Sequence, residues 1–570
     1  MPSPRSSSSN PTTAEAWHER AHAHLEEKKH PEAAQAYQQA LALDPNHVPS
    51  LIALARLTFN PQHPQQAHAL LTRALDHDPE NTDALALQGT FRFRLGDWAR
   101  AEPALQKALA LDPAHKEALT SLAELYMKWA RTPEARDLFN RYYEAYPDDL
   151  ERRSGALFVN HYFQPDNRAD EFEAIRDWGK RLPQPDDDPP FTFPGLDRDP
   201  DRRLRIAYLS PDFRWHAVAH FALTVVENHN PDQVEVFCYS QNPKTDDYTL
   251  RFREAADHWI ETKELSDEEL RDRMREDRID VLIELTGHTA GHRLGAVALR
   301  CAPVQAHWLG FCNSTGVPAM DYRLSDEVCD PPGDADRFST EEITRLPGGF
   351  FTHLLPDEAP PVRPAPALRN GFLTFGCFNN HLKTNPIVLR LWTQLLQEVP
   401  DSRLLLRYSG YDNAYLRQSV TAFFEEAGIA SERLRLLSGT PAINQYYDLY
   451  GQIDIALDPF PYNGMTTSCE CCWMGVPFVT MADDVHRSRV GATILTQINH
   501  PEWIAHSPEE YLTIAKDLAA DPKRLNNLRP EIRTAMEESS LGDGKGMAGK
   551  IETAARNWWQ RWLQQEPKAP

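Results

Sequence analysis

Apolar and small positions return along the first 150 residues with a period of 34. Ala33, Ala67, Ala101 and Ala135 share one phase, and Tyr37, Leu71, Leu105 and Phe139 share a second. Trp17, Leu51, Leu85 and Leu119 hold a third, with the small residues Ala21, Ala55, Gly89 and Ala123 in step four positions later. Pro45, Pro79, Pro113 and Pro147 close the units, and Asp44, Asp78 and Asp112 precede the first three. This spacing predicts two amphipathic helices per unit, touching through small residues and ended by the proline. One such hairpin cannot bury its own apolar face, so the units must stack on one another.

The period and its phased columns match the tetratricopeptide pattern, whose stacks carry a groove for peptides or partner proteins. The helical pattern continues loosely to Leu182, and a proline- and acid-rich stretch, QPDDDPPFTFPGLDRDPDRR, then interrupts it. Asp186 and Asp188 form a D-x-D there, but the flanking prolines and the absence of a neighbouring strand favour a solvated linker over a metal site. From Leu204 the period changes. LRIAYLS, VEVFCYS, IDVLIELTG and VQAHWLGF read as buried parallel strands alternating with helices. A second joint, LLPDEAPPVRPAPALRNG, precedes FLTFGCF, SRLLLRY, RLRLLS, IDIALD and PFVTM. Two such blocks facing each other place a cleft at the carboxyl ends of both sheets. The expected organisation is a leader over 1–13, repeat and repeat-like helices over 14–182 and a linker over 183–202. An α/β block over 203–350, a joint over 351–370, a second block over 371–545 and a C-terminal helix over 546–570 follow. Trp558, Trp559 and Trp562 make that last helix a packing clasp.

Composition narrows the function classes. Among 570 residues, 41% are hydrophobic and 25% charged, and the net charge of −23 argues against phosphate backbones and anionic lipid as partners. No apolar run approaches the ~20 residues of a membrane span. Residues 1–13 have no apolar core, so they read as a disordered leader of a cytoplasmic protein and not as a secretory signal. All eight cysteines lie at or after Cys238, without the spacing of a disulfide framework. Cys469 and Cys472 form a C-x-x-C on an expected helix, where buried packing is favoured over zinc or redox work.

Four clusters sit at strand ends or helix starts. In SPDFRWHAVAH, His216 is placed to act as a base or to polarise an oxygen, with a structural histidine as the alternative. In ELTGHT, Gly287 lets backbone approach a ligand, while Thr286, His288 and Thr289 offer hydrogen bonds to sugar or acceptor. In FNNHLKTNP, Lys383 can set a positive charge against a diphosphate. In DPFPYNGMTTSCE, a turn containing Gly464 leads into a helix opening at Thr466, Thr467 and Ser468, a ready phosphate site. Glu470, one turn in, can accept from ribose hydroxyls. No G-x-x-x-x-G-K-[ST], G-x-S-x-G or H-E-x-x-H is present, which removes support for those chemistries. Transfer of a group from a nucleotide donor fits what remains.

With the repeats, these segments resemble glycosyltransferase family 41, the protein O-GlcNAc transferases and their SPINDLY-type relatives. LRIAYLSPDFRWHAVAH, APVQAHWLGFCNSTGVPAMDYRLSD, FGCFNNHLKTNP and DPFPYNGMTTSCE with MGVPFVTM carry the resemblance. It implies a repeat superhelix followed by a GT-B catalytic region of two Rossmann-like domains. It also implies inverting transfer of a single sugar to Ser or Thr of intracellular proteins, without cofactor or metal. Carried over, His216 is the catalytic or acceptor-orienting histidine and Lys383 the lysine that neutralises the diphosphate. Asn379 and Asn380 are the polar pair beside it, Thr466 and Thr467 the phosphate-holding threonines, and Glu470 the ribose contact. Met465 and Glu470 stand where the GlcNAc branch usually has histidine and aspartate, and the ELTGHTA segment lies closer to the SPINDLY-type branch. UDP-GlcNAc is the leading donor and GDP-fucose the alternative. A repeat scaffold with an inactive GT-B domain and a small-molecule or lipid transferase are the rivals.

Overall fold

The computed structural model describes residues 11–163, 167–185, 193, 195–242, 244–356, 359–439 and 442–565. The chain divides into two units between Pro147 and Asp148. The first ten positions of the expected leader, Asp186, Asp188 and the last five residues lie outside the described residues.

The first unit is four helical hairpins: Ala14–Glu26 with His30–Leu43, Val48–Thr58 with Gln65–His77, Thr82–Arg94 with Trp98–Leu111, and Lys116–Lys128 with Thr132–Ala145. The phased columns are its core. Ala33, Ala67, Ala101, Ala135, Tyr37, Leu71 and Leu105 are fully buried, while Trp17 and Phe139 are only partly so. Asp44, Asp78 and Asp112 cap the second helices of the first three hairpins. A further 34-residue ladder was not read from the sequence. Arg73, Lys107 and Arg141 donate to the carbonyls of Pro45, Pro79 and Pro113, the last two at 2.9 and 3.0 Å. Each cation thus satisfies a carbonyl just beyond the helix C-terminus of the preceding repeat.

The second unit holds two parallel sheets. Its N-terminal lobe contains β1 (Leu204–Ser210), β2 (Val234–Ser240), β3 (His258–Glu261), β4 (Val281–Glu284), β5 (Val304–His307), β6 (Tyr322–Ser325) and β7 (Glu342–Arg345). The order is β3-β2-β1-β4-β5-β6-β7, parallel throughout. The C-terminal lobe contains β8 (Thr374–Cys377), β9 (Arg403–Arg407), β10 (Leu434–Leu437), β11 (Ile455–Leu457), β12 (Phe478–Met481) and β13 (Ile504–Ala505). They are ordered β10-β9-β8-β11-β12-β13, again all parallel. Both are doubly wound sheets of Rossmann type, with switch points between β1 and β4 and between β8 and β11. Strands β3, β6, β7 and β13 were not among the expected runs. The edge strands β3 and β7 are half-exposed and polar, and so lack the continuous apolar run that marks a buried parallel strand.

The helices Leu150–Val159 and Arg168–Lys180, grouped by sequence with the repeats, fall in this second unit. Leu157, Ile175, Trp178 and Leu182 share one buried cluster with Ala207, Leu209, Leu282 and Val297 of the N-terminal lobe. The second of these helices also reaches the other lobe, where the buried Arg487 guanidinium pairs with both oxygens of Glu171 at 3.0 and 3.1 Å. The final helix, Gly544–Gln564, returns to the N-terminal lobe. There Trp558 stacks on Tyr322 at 4.8 Å and Trp559 donates to the Asp199 carbonyl at 3.2 Å, which is the clasp expected of those tryptophans.

Candidate functional site

Each of the four sequence clusters follows a strand beside a switch point. The His216 loop follows β1 and the Thr286–Thr289 turn follows β4. The Asn379–Lys383 segment follows β8 and the Asp458–Thr466 loop follows β11. Ligands of doubly wound sheets bind in these positions, because strands diverge there and leave a crevice at their carboxyl ends.

In the C-terminal lobe the expected residues converge. Thr467 Oγ1 donates to Asn379 Oδ1 at 2.8 Å. Lys383 Nζ donates to the Asn463 carbonyl at 2.7 Å and lies 4.0 Å from the centre of the Tyr462 ring. Gly464 packs so closely that a Cβ there would sit 2.5 Å from Thr467 Oγ1 and 2.9 Å from Asn379 Oδ1. The helix Thr466–Trp473 begins after Met465 without a side-chain cap, so its first amides remain available to an anion. Asn380 is exposed, and its side chain caps the short turn His381–Lys383 by accepting from the Leu382 amide at 3.1 Å.

Asp458 organises this loop, although sequence reading passed over it. It is buried and accepts from the Gly464 amide and from Thr480 Oγ1, each at 2.7 Å. Burial pushes its carboxyl up to about 7, with those donors and Lys383 acting in the opposite sense. Burial also lowers the half-buried Lys383 ammonium, while Asp458 raises it. The strand-end position in DPFPYNG was the available signal for Asp458. Its contacts to Thr480 on β12 were not, because they depend on the sheet order.

Glu470 is buried, and its Oε2 accepts from Tyr446 at 2.6 Å and Tyr450 at 2.8 Å. Burial raises its carboxyl to about 7. Both tyrosines were missed by sequence reading. Cys469 and Cys472 are fully buried on the same helix, in line with a packing role.

In the N-terminal lobe, His216 is half-buried with Nδ1 3.4 Å from Asp212 Oδ2. Burial lowers the imidazole and raises the aspartate, and their mutual attraction opposes both shifts. Burial thus favours the neutral imidazole, whose Nδ1 accepts from the Val218 amide at 3.3 Å beside the Asp212 carboxylate.

The β4 turn differs from expectation. His288 is buried, with Nδ1 2.8 Å from Ser154 Oγ, Nε2 2.9 Å from the Thr315 carbonyl, and Trp178 against its ring at 4.4 Å. Both nitrogens are engaged inside the protein, so His288 fastens the Leu150–Val159 helix and is not presented to a sugar. Thr286 is likewise buried, its amide bonded to Glu284 at 2.8 Å and its carbonyl to Thr289 Oγ1 at 2.9 Å. Of the three, Thr289 alone keeps partial exposure. Gly287, with φ +57, makes room for Phe311, whose Cβ a side chain there would meet at 2.2 Å. Its close approach is to protein and not to a ligand.

Comparison with known proteins shows the family and the fold. The profile of glycosyl transferase family 41 matches residues 186–354 and 362–551, and tetratricopeptide-repeat profiles match 14–47, 52–101 and 92–157. A probable UDP-N-acetylglucosamine–peptide N-acetylglucosaminyltransferase SPINDLY of Arabidopsis thaliana is 38% identical over 424 residues, 74% of this chain and 46% of that protein. A second Arabidopsis relative, SEC, carrying the same probable activity in its name, is 30% identical over 66% of this chain and 39% of its own. This chain thus spans about half the length of the curated relatives it matches. The solved structure of a mutant O-GlcNAc transferase from Thermobaculum terrenum superposes with a TM-score of 0.80 at 33% identity, covering 91% of this chain and 98% of that one.

Proposed function

The chain belongs to glycosyltransferase family 41, and from that premise we propose that it is an inverting protein O-glycosyltransferase. In this reading it moves one sugar from a nucleotide donor to Ser or Thr of proteins in the cytoplasm. The observation that carries the proposal is the convergence of Lys383 and the uncapped Thr466 helix start on the Asn463–Gly464 turn. A diphosphate leaving group needs stabilisation of developing negative charge. A preorganised ammonium and free helix amides supply it without reorganisation, so the transfer needs no metal ion. His216, beside Asp212 at the end of β1, takes or steers the proton of the acceptor hydroxyl as that hydroxyl attacks the anomeric carbon opposite the diphosphate. Asn379, Thr466, Thr467 and Glu470 hold the donor, and the repeats present the acceptor polypeptide. All eight cysteines are free, which suits a reducing compartment, and no described helix is long and apolar enough to cross a membrane.

UDP-GlcNAc is the proposed donor, supported by the probable activity that the relatives' names carry. Calorimetry with UDP and GDP, without added metal, tests it. UDP should bind more tightly by at least ~10-fold, about 1.4 kcal/mol. A GDP preference of that size puts GDP-fucose in its place, and binding of neither overturns the enzyme reading in favour of an inactive scaffold. Removing residues 1–115 should leave nucleotide binding nearly intact and lower transfer to protein acceptors. Equal loss of both would make the repeats a structural prop.

A further inference from the structure

The net charge of the chain is −23, yet one trough on the C-terminal lobe has the opposite sign. It lies at the amino ends of β8, β9 and β10, the far end of the sheet from Asn379, Lys383 and Thr466. Two cavities of about 470 and 420 Å³ share Arg369 and Gln452 there. Arg363, Arg369, Arg403, Arg433 and Arg435 line them, against only two carboxylates, Asp448 and Glu432. Arg363 neutralises Asp448, with Nη2 2.8 and 3.0 Å from its two oxygens. Arg433 is engaged internally, donating to the carbonyls of Ser402 and Leu396 at 2.7 Å each. The other three arginines are held by neutral groups. Arg403 lies over the Phe372 ring at 3.6 Å, Arg435 donates to Gln452 Oε1 at 2.7 Å, and Arg369 donates to Asn370 Oδ1 at 3.4 Å. All three are exposed, and among the described residues none is in an ion pair. Such partners fix a guanidinium without cancelling its charge. Strand register sets two of them on one face, because Arg435 pairs with Leu405, which shares its face with Arg403 two residues earlier. Strand spacing and rise place their Cα atoms about 8 Å apart along the diagonal. The other end of the trough is apolar, lined by Pro364 and by Leu368, which keeps 49% of its surface exposed.

We propose that this trough docks an extended acidic segment of a partner protein, its carboxylates on Arg369, Arg403 and Arg435 and an apolar side chain on Leu368. A carboxylate accepts two parallel N–H bonds from one guanidinium, the pairing that an unneutralised arginine fits best. On an extended peptide, side chains two residues apart stand on one side roughly 7 Å from each other, close to the diagonal between Arg403 and Arg435. An acidic segment is repelled by a chain of this net charge elsewhere, so the trough decides where it lands. A small phosphate would leave the Leu368 end uncovered, and a nucleic-acid strand brings no apolar side chain to it. The surface is open, with its arginines exposed, which suits a chain laid along it better than an enclosed small ligand. The trough and the nucleotide cleft sit at opposite ends of the same sheet, so docking here does not depend on the glycosyltransferase reading.

The test is fluorescence anisotropy on the full chain, without nucleotide, using a labelled peptide of Glu-Ser repeats that ends in two leucines. The same peptide with lysine in place of glutamate should bind at least ~10-fold more weakly, and binding of the acidic one should weaken as salt rises. Arg403→Glu and Arg435→Glu together should lower its affinity by ~10-fold or more, and Leu368→Ser by about 3-fold. Arg390→Glu, exposed on the helix Pro386–Glu398 and outside the trough, controls for the change in overall charge and should stay within about 2-fold of wild type. If the double variant misfolds, hydrogen exchange on the wild-type chain decides, and the peptide should slow exchange over 363–372 and 432–435. No binding at ~1 mM peptide, equal binding of the lysine counterpart, an unchanged double variant or protection only elsewhere overturns the proposal. Inorganic pyrophosphate that displaces the labelled peptide at lower concentration than the unlabelled peptide does would assign the arginines to a small phosphate, and overturns it as well.

Discussion

Thr467 Oγ1 donates to Asn379 Oδ1 across 2.8 Å, joining the segments that follow β11 and β8 at the switch point of the C-terminal sheet. The bond holds the first turn of the Thr466 helix against the loop that carries Lys383. A negative charge placed at Asn379 would face the proposed diphosphate while still accepting from Thr467. Asn379→Asp should therefore weaken nucleotide binding by more than ~10-fold, and Asn379→Ala by less, with the aspartate variant recovering partly in salt. Titration calorimetry in low and high salt reads both. An aspartate variant that binds like wild type would mean that position 379 does not face an anion.

Lys383 is half-buried, held by the Asn463 carbonyl at 2.7 Å and by the face of Tyr462. Lys383→Ala should lower turnover by ~100-fold or more, the scale of losing one preorganised group at a developing anion. Lys383→Arg should restore only part of it, because a planar fork cannot occupy the place of a compact ammonium over that ring. Single-turnover measurements with saturating donor separate this loss from weaker binding. Unchanged turnover in the alanine variant would remove Lys383 from the chemistry.

The repeats were legible because their information is periodic: one column of alanines and one of prolines define every helix pair. The strand ends were legible for a related reason, since apolar runs stop where the chain leaves the sheet, and Asn379, Lys383 and Thr467 all lie just past such stops. Sheet order was not written in any local pattern. Only with β11 lying between β8 and β12 does Asp458 reach Thr480, and only the fold brings Tyr446 and Tyr450 onto Glu470. His288 shows the opposite failure. A polar residue after a strand looks like a ligand-binding residue, yet its partners Ser154 and Thr315 come from segments 134 and 27 residues away and consume both ring nitrogens. The helices over 150–180 misled in the same way, because amphipathicity does not say against which core a helix packs.

Glu470 and Tyr450 make a further prediction. Tyr450→Phe removes one of two hydroxyl donors from a buried carboxyl that burial already raises to about 7. The donor favours the charged form, so its loss raises the folded-state value further. Stability should fall by about 1–3 kcal/mol when the group is ionised, and by less near pH 5, where the folded-state carboxyl is protonated. Denaturant unfolding of both proteins at pH 5 and pH 8 measures the difference. An equal loss at both pH values would assign the effect to packing around the ring.

The pair His486–Asp330, with Nδ1 2.6 Å from Oδ2, sets an alkaline limit on stability. Asp330 holds the imidazolium against the cost of burial and raises it to about 9, above the ordinary value of 6.5. A group raised in the folded state contributes stability that is fully present below its unfolded value and is lost as pH climbs through its folded value. The window for His486 is thus between about 6.5 and 9. Asp330 is held well below its ordinary value by Arg323 and His486, so its own contribution is present above that value and fades only in acid. Lysines and tyrosines elsewhere also titrate above pH 9, and the comparison must therefore be between variants. The wild-type unfolding midpoint should drop from pH 7 to pH 9.5, and His486→Gln, which carries no charge at either pH, should flatten that drop by the share His486 contributes. Thermal unfolding of the two proteins side by side over this range reads it directly. Parallel curves would show that His486 is already neutral at pH 7.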